Sequence, residues 1–461
     1  MGISSAFNIA TAGLRTTALQ SDLVARNISN ASTEGYTRKS ADLVTRHGTV
    51  AVAGISREVN SLLDRLDRGN RSELARSQTL AEGLKSYTDL LGQPDDATSP
   101  SAGLNEVYNA LITLSGSPNN QAAQQGTVEM AKGLARQIND LAQVANALSS
   151  EVDLNIRYDV SDLNDRLTRI GQINMRLMQT GSGGVEGAEL LDEMGRLLDQ
   201  VSGYMDIQIT SSPDGAVSVY TAGGTELVQG RRVSTLSYEP GTGSLRAGDT
   251  DITPGRNGNR GFSSGSLAGL MELRDTAIPK IRGELDGFAA DLIARFSAAD
   301  PTLAPGAHGL FTDSALGTPG LDSSGLAARL MVNRAADPAL GGNAGLLVSG
   351  FGTATTLEPG SSTIVNALIS SIDQRPAGGQ SLAERAANMV AGQQQMRVSA
   401  ERAVQSAELS GATISASRQN LQGVNVDDEL QVLMVIEQSY AANAKVLSTL
   451  QQMLDSLMDA V

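Results

Sequence analysis

Residues 423–461 read GVNVDDELQVLMVIEQSYAANAKVLSTLQQMLDSLMDAV. Leu433, Ile436, Tyr440, Asn443, Leu447, Leu450, Leu454, Leu457 and Val461 recur at alternating steps of three and four. That period places them on one stripe of a single helix, the pattern of a coiled-coil seam. Asn425 suits the N-cap, and Asp428 stands where a reciprocal capping carboxylate would sit. Asp427, Asp428 and Glu429 lie at the positive end of the helix dipole. Burying one Leu or Ile contributes about 1.5–3 kcal/mol, while ordering one backbone residue costs about 1–2 kcal/mol. One stripe offsets that cost only if another helix covers it.

The opposite end of the chain offers a cover. Ile3, Phe7, Ala10, Leu14, Thr17, Ser21, Val24 and Ile28 keep the same rhythm, with smaller and more polar residues in the middle. Two arrangements satisfy the pattern equally: the terminal helices pair, or each packs separately on the globular part as ordinary core.

The next residues favour pairing. Leu19 to Arg38 reads LQSDLVARNISNASTEGYTR. Ser29, Asn30, Ser32 and Thr33 favour side-chain-to-backbone turns over helix, Gly35 can supply a positive φ, and Tyr36 can anchor the returning chain. The stretch resembles the N-terminal signature of the flagellar rod, hook and hook-associated axial proteins, N-I-x-N-x-x-T-x-G-Y-x-R, filled here by Asn27, Ile28, Asn30, Thr33, Gly35, Tyr36 and Arg38. Glu34 stands where many members have Pro. Gly423, Val424, Asn425, Asp428, Glu429, Leu430, Gln438, Tyr440, Asn443, Ala444 and Leu447 resemble the closing motif of the same family. The resemblance implies that both termini join in an inner coiled-coil domain stacked with its neighbours inside a tube.

The interior places the chain nearer the hook-associated members. Rod and hook proteins pass from the signature into β structure, whereas here Gln121 to Met178 is helical, with Leu134, Ile138, Leu141, Ala145, Leu148, Val152, Leu163, Leu167, Ile170 and Leu177 on its apolar stripe. Ser117-Pro118, Ala131–Ala135 with Ile138, and Glu189–Asp192 resemble the helical domain of those members, although Glu193, Met194 and Gly195 depart from the usual run. The implied function is a structural adapter joining hook to filament, with a hook or distal-rod protein as the alternative. The implied partners are further copies of itself, hook protein, a second junction protein (hook-associated protein 3) and an export chaperone. The implied location is the extracellular flagellum, reached without a cleaved signal peptide.

The expected fold is mainly α with inserted β. Residues 1–60 with 423–461 form the terminal assembly domain, and 61–204, 266–300 and 362–422 a bundle of long helices. Residues 205–265 form a small antiparallel β domain, and 301–361 an irregular segment with a strand near Arg329–Asn333. Thr37–Val59 reads as extended or loop, and Asn60 as the cap of a helix running to Leu91. In the insert, Ile207 and Ile209, Val217 and Val219, and Leu236 and Tyr238 alternate, with turns at Ser212–Gly215 and Ala222–Gly224. Ser381 opens a helix whose stripe runs Leu382, Ala386, Met389, Met396, Ala400, Ala403, Ala407, Ile414 and Leu421.

Composition narrows function by exclusion. The 461 residues carry a net charge of −15, which opposes a nucleic-acid partner, and no Cys, which removes disulfides and thiolate chemistry. No apolar run reaches the roughly 18 residues of a membrane span, and no basic and then apolar leader opens the chain. Met1-Gly2 lacks the Ser or Thr wanted at position 6, where Ala6 stands. His47 and His308 belong to no metal pattern, and Gly255, Gly258 and Gly261 match neither a dinucleotide nor a P-loop spacing. No catalytic residue, cofactor or metal site is expected. The residues expected to act are the seam (Ile3, Phe7, Leu14, Val24, Ile28, Leu433, Ile436, Tyr440, Asn443, Leu447, Leu450, Leu454, Leu457 and Val461) and the turn (Asn27, Asn30, Thr33, Gly35, Tyr36 and Arg38).

Overall fold

The computed structural model describes residues 3–33, 35–46, 48–256, 260–315, 324–352 and 360–459, with the backbone alone at Ile3 and Leu457. Helix α1 (Ile3–Ser29) leads into a hairpin, β1 (Lys39–Arg46) and β2 (Thr49–Arg57). Four helices follow: α2 (Ser61–Leu91), α3 (Pro100–Gly116), α4 (Gln121–Thr180) and α5 (Val185–Tyr204). The β insert holds β3 (Ile207–Ser211), β4 (Val217–Thr221), β5 (Glu226–Gln229), β6 (Arg232–Val233), β7 (Leu236–Glu239), β8 (Ser244–Ala247) and β9 (Thr250–Asp251). Then come α6 (Ser266–Glu272), α7 (Ile278–Ala298), β10 (Phe311–Asp313), β11 (Leu330–Val332), α8 (Leu346–Ser349), α9 (Thr363–Asp373), α10 (Leu382–Gln422) and α11 (Val426–Met458). The chain is mainly helical with small antiparallel sheets, as its periodicity predicts.

The chain divides into two compact units. One comprises Met1–Arg76, Tyr158–Ala268 and Gln405–Val461; the other comprises Ser77–Arg157 and Gly269–Val404. In the first, α1 packs along α11, and the hairpin packs on α1 and α5. Leu23, Ile55 and Ala188 form the buried contact among α1, β2 and α5. The Thr37–Val59 stretch, read as extended or loop, is this hairpin, bulged between Asp42 and Leu43.

The insert forms two antiparallel sheets, β3-β4-β5-β6 and β7-β8-β9. Each is clamped to α4 by one asparagine. Asn174 accepts from the Val217 amide at 2.8 Å and donates to the carbonyls of Val217 and Gly230 at 2.8 and 2.9 Å. Asn164 exchanges the same pair of bonds with Leu236 at 2.8 and 2.9 Å. Ten residues of helix, about 15 Å, thus set the spacing of the two sheets.

In the second unit the apolar stripe of α4 is buried from Leu134 to Val152. Tyr87, Leu104, Leu111, Phe288, Phe296 and Phe311 complete the core, with the last two rings edge to face at 4.9 Å. A π-helical turn, Leu273–Ala277, separates α6 from α7. Pro279 explains it: proline has no amide hydrogen and its ring crowds the preceding turn, which a wider turn relieves. The strand expected near Arg329–Asn333 is β11, paired with β10. Ser381 caps α10 reciprocally with Glu384, at 3.1 and 3.0 Å.

The last turns of α10 differ from the expected stripe. Leu421 is 57% exposed, because Arg418 and Gln422, four residues apart, face the interior and bond to acidic residues there. Ion pairing, not apolar burial, sets the rotation of this end of the helix.

Candidate functional site

The terminal helices meet along a shallow seam. On α1, Val24 is buried, while Phe7, Leu14 and Ile28 are half-buried. On α11, Ile436 is buried, and Leu433, Asn443, Leu447 and Leu450 are half-buried. Tyr440 and Leu454 remain 50% and 40% exposed. The side chains of Ile3 and Leu457, and all of Val461, lie outside the described residues. Small residues allow the close approach: a Cβ on Gly13 would stand 2.8 Å from the side-chain nitrogen of Asn443.

A polar knot closes one end of the seam. Asn27, 1% exposed, uses its whole hydrogen-bonding capacity. Its Oδ1 accepts from the Tyr36 hydroxyl at 2.9 Å and from the Lys39 amide at 3.1 Å. Its Nδ2 donates to the Lys39 carbonyl at 2.9 Å and to Glu429 Oε2 at 3.0 Å. The other Glu429 oxygen accepts from Arg38 Nε at 2.6 Å, and Arg38 Nη1 reaches Glu58 at 3.3 Å. The Arg38 amide donates to the Gln422 carbonyl, joining the turn to the end of α10.

Beside it, Asp192 on α5 holds the base of the hairpin. It pairs with Lys39 at 2.7 Å and Arg57 at 2.8 Å, and accepts from Thr37 at 2.9 Å. The Lys39 ammonium sits 4.6 Å from the centre of the Tyr36 ring. Burial, and then the negative Asp192, push the Tyr36 hydroxyl up to about 12, so it stays a donor to Asn27. The bond to Glu429 leads the causes that raise Arg38 above its ordinary value.

The turn itself follows from its residues. The Asn30 carbonyl accepts from the Thr33 amide at 2.9 Å, and the Thr33 hydroxyl donates to Asn30 Oδ1 at 3.3 Å. Gly35 has φ +74°, and a Cβ there would meet Arg196 at 2.8 Å. Position 35 therefore needs glycine for conformation and for space. Asn27, Tyr36 and Arg38 come together, while Asn30, Thr33 and Gly35 shape the turn that brings them.

A second ionic cluster lies close by. Arg418 pairs with Asp64 at 2.8 Å, Asp67 at 2.7 Å and Asp199 at 3.3 Å. Arg68 shares Asp199 at 2.7 Å. Burial alone would lower the Arg418 pKa, but the three carboxylates more than offset it and raise it. A cleft of about 500 Å³ opens between this cluster and the turn, lined by Gly35, Tyr36, Arg196, Arg418, Gln419 and Gln422 among others.

Sequence reasoning missed Glu429, Asp192, Lys39 and Arg57 as site residues. In the sequence the helix dipole and the closing motif both account for Glu429, and neither gives it a partner. Asp427 and Asp428 are exposed, and Asn425 caps α11 by accepting from the Asp427 amide at 3.0 Å. Glu429 alone turns inward, 1% exposed. The available signal was Arg38: an arginine in a folded turn calls for a carboxylate, though not for a named one.

For metal chemistry, no group of three or more His, Cys, Asp or Glu among the described residues is placed to hold an ion. His308 is half-buried, and His47 and Gly258 lie outside the described residues. Among the described residues, no helix is long and apolar enough to cross a membrane.

Two flagellar family models match the chain. Residues 84–301 match the profile of the flagellar hook-associated protein FlgK helical domain, and residues 414–460 that of the flagellar basal body rod FlgEFG protein C-terminal region. Flagellar hook-associated protein 1 of Salmonella typhimurium is 25% identical over 313 residues, covering 64% of this chain and 56% of that protein. The chain thus spans little more than half the length of that relative. The Escherichia coli protein of the same name is 23% identical, covering 99% of this chain and 100% of the relative. The solved structure of the flagellar hook junction protein FlgK from Burkholderia pseudomallei superposes with a TM-score of 0.45 at 18% identity, covering 54% of this chain and 46% of that one.

Proposed function

We infer that this chain, which belongs to the flagellar hook-associated protein 1 family, is a structural subunit of the bacterial flagellum that joins hook to filament by self-assembly of its terminal helices. The observation that carries this reading is the uncovered side of α11. Helix α11 packs on α1 yet leaves Leu430, Val435, Tyr440, Met453 and Met458 between 45% and 77% exposed. A helix with apolar residues on both its covered and its open sides asks for more neighbours than one chain supplies. Fully burying such a side chain contributes up to about 1.5–3 kcal/mol, and added neighbours would supply that apolar cover.

In this reading residues 1–60 and 423–461 form the inner assembly domain. The long helices of 61–204, 266–300 and 362–422 form a stiff outer layer. The β insert, 205–265, faces solvent, and 301–361 accompanies the outer layer. The seam residues and the signature turn carry incorporation. The partners are further copies of this chain, hook protein, hook-associated protein 3 and an export chaperone. The protein acts outside the cell, exported without a cleaved signal peptide, and performs no catalysis.

A hook or distal-rod subunit is the second reading, favoured by the rod-type match at residues 414–460. The match of residues 84–301 to a hook-associated helical domain weighs for the adapter. Electron microscopy of purified protein added to isolated hooks separates them. A short zone that stops by itself and then accepts the next junction protein supports the adapter. Long tubes of this protein alone support the hook reading, and no binding by folded protein overturns both.

A further inference from the structure

We propose that the cleft beside the signature turn is an anion site, in which Arg196 takes an Asp or Glu carboxylate from a second copy of this chain. The inference rests on the assembly reading and deepens it by assigning one contact between subunits. The turn that forms one wall of the cleft belongs to residues 1–60, so the site is complete only where assembly has ordered the termini.

Arg196 is exposed on α5 and lines the cleft. Three acids stand three or four positions from it, the spacings that pair on a helix surface. All three are taken. Asp192 holds Lys39 and Arg57. Glu193 holds Arg169 at 2.6 Å. Asp199 holds Arg68 at 2.7 Å and Arg418 at 3.3 Å. Even Gln200, one turn on, accepts from Arg166 at 2.6 Å. Among the described residues Arg196 has no hydrogen bond or ion pair.

The rest of the cleft offers it no anion. Asp199 is the one acid in the lining among the described residues. Arg68, Arg71 and Arg418 face Asp64, Asp67 and Asp199 in equal number, which leaves Arg196 as the cation in excess. Ser32, Thr33, Ser415 and Gln419 add neutral hydrogen-bonding groups to the walls. The volume, about 500 Å³, far exceeds the roughly 30 Å³ share of one water. It falls within the about 300–1,000 Å³ of sites that take an organic group. Hydroxyls and amides around a guanidinium suit a carboxylate carried on polypeptide, which brings backbone donors and acceptors with it.

The chain itself carries the matching group. It has 50 acidic residues against 35 Lys and Arg, so two copies meet mostly as like charges. An open cation turns that repulsion into attraction at one place and thereby fixes register between neighbours. The lining also includes Gln422 and Gly423, where α10 ends and the terminal segment begins. The cleft is thus continuous with the surface on which the assembly reading already places further copies.

Two full-length variants added to isolated hooks test this. Arg196→Gln should join about tenfold less efficiently than wild type, the effect of losing one charge-assisted pair. Its thermal midpoint should not move, because no bond within the chain is lost. Arg196→Lys should join within about threefold of wild type, and it supplies an amine. Carbodiimide should then couple that amine to a carboxylate in contact with it, on hooks carrying a mixture of isotopically heavy and light Arg196→Lys protein. A coupled pair of peptides, one heavy and one light, with the acid from this sequence, supports the proposal. An acid from the same copy or from hook protein overturns it. So does no coupling, the result a small anion from solution would give. Arg196→Gln that joins as well as wild type overturns the proposal and leaves the assembly reading standing. Wild type that fails to join the hook removes both.

Discussion

The side-chain amide of Asn443 on α11 lies against the bare Cα of Gly13 on α1, where a Cβ would stand 2.8 Å from its nitrogen. Two opposing terms act on Gly13→Ala. Alanine favours the helix by about 0.8–1.0 kcal/mol over glycine, and the displaced atoms are the far end of a side chain that can rotate. The expected net change in stability is under about 1 kcal/mol. Gly13→Leu has no such escape and should separate the helices. Thermal unfolding should barely register the alanine, while limited proteolysis should open α11 in the leucine variant.

Leu447 is half-buried on the seam. Leu447→Asp places a charge where further neighbours are expected to pack. Incorporation at the hook tip should be lost, while the thermal transition of the unit containing α3 and α7 stays unchanged. Normal incorporation of this variant would remove Leu447 from the interface.

Tyr36 carries a pH dependence whose sign is fixed by its environment. Its hydroxyl is pushed up to about 12 by burial and by Asp192, against about 10 in an unfolded chain. A raised folded value means that the stabilising protonated form is fully present below about pH 10 and is lost as pH rises through about 12. Unfolding curves between those limits should show extra destabilisation in wild type that Tyr36→Phe lacks. Equal slopes would show that the hydroxyl plays no part in holding Asn27.

Arg418 bridges Asp64, Asp67 and Asp199, whose side chains are 11%, 5% and 11% exposed, with Arg71 also on Asp67 and Arg68 on Asp199. Arg418→Met removes the cation that all three carboxylates share and leaves Arg68 and Arg71 on two of them; breaking a buried ion pair costs about 3–5 kcal/mol. Denaturant unfolding should show that loss. The quadruple variant, with Asp64, Asp67 and Asp199 also changed to Asn, should recover part of it, because the repulsion goes with the charges.

How much of this was legible depends on the range of each interaction. The seams of α1, α4 and α11 show in the sequence because helical period is a local property. Asn60 and Ser381 are readable as caps for the same reason. The closing motif marks Glu429, but its inward turn was not legible: a helix dipole explains an acidic first turn without looking elsewhere, and Arg38 lies 391 positions away. The inward rotation of Arg418 and exposure of Leu421 reverse the apolar pattern, because three acids on other helices outweigh one leucine. Asn164 and Asn174 read as polar positions on a long helix, and only the returning strands reveal them as clamps.

Asp192 has a mechanical consequence. One carboxylate gathers Lys39, Arg57 and Thr37 at the base of the hairpin. Apolar surfaces slide past one another and give way by degrees, whereas hydrogen bonds are directional and weaken steeply once a pull takes them out of line. A pull along the hairpin should therefore meet a stiff stop, with almost no creep before an abrupt release. A fastening of this kind would pass torque through the hairpin without storing slack.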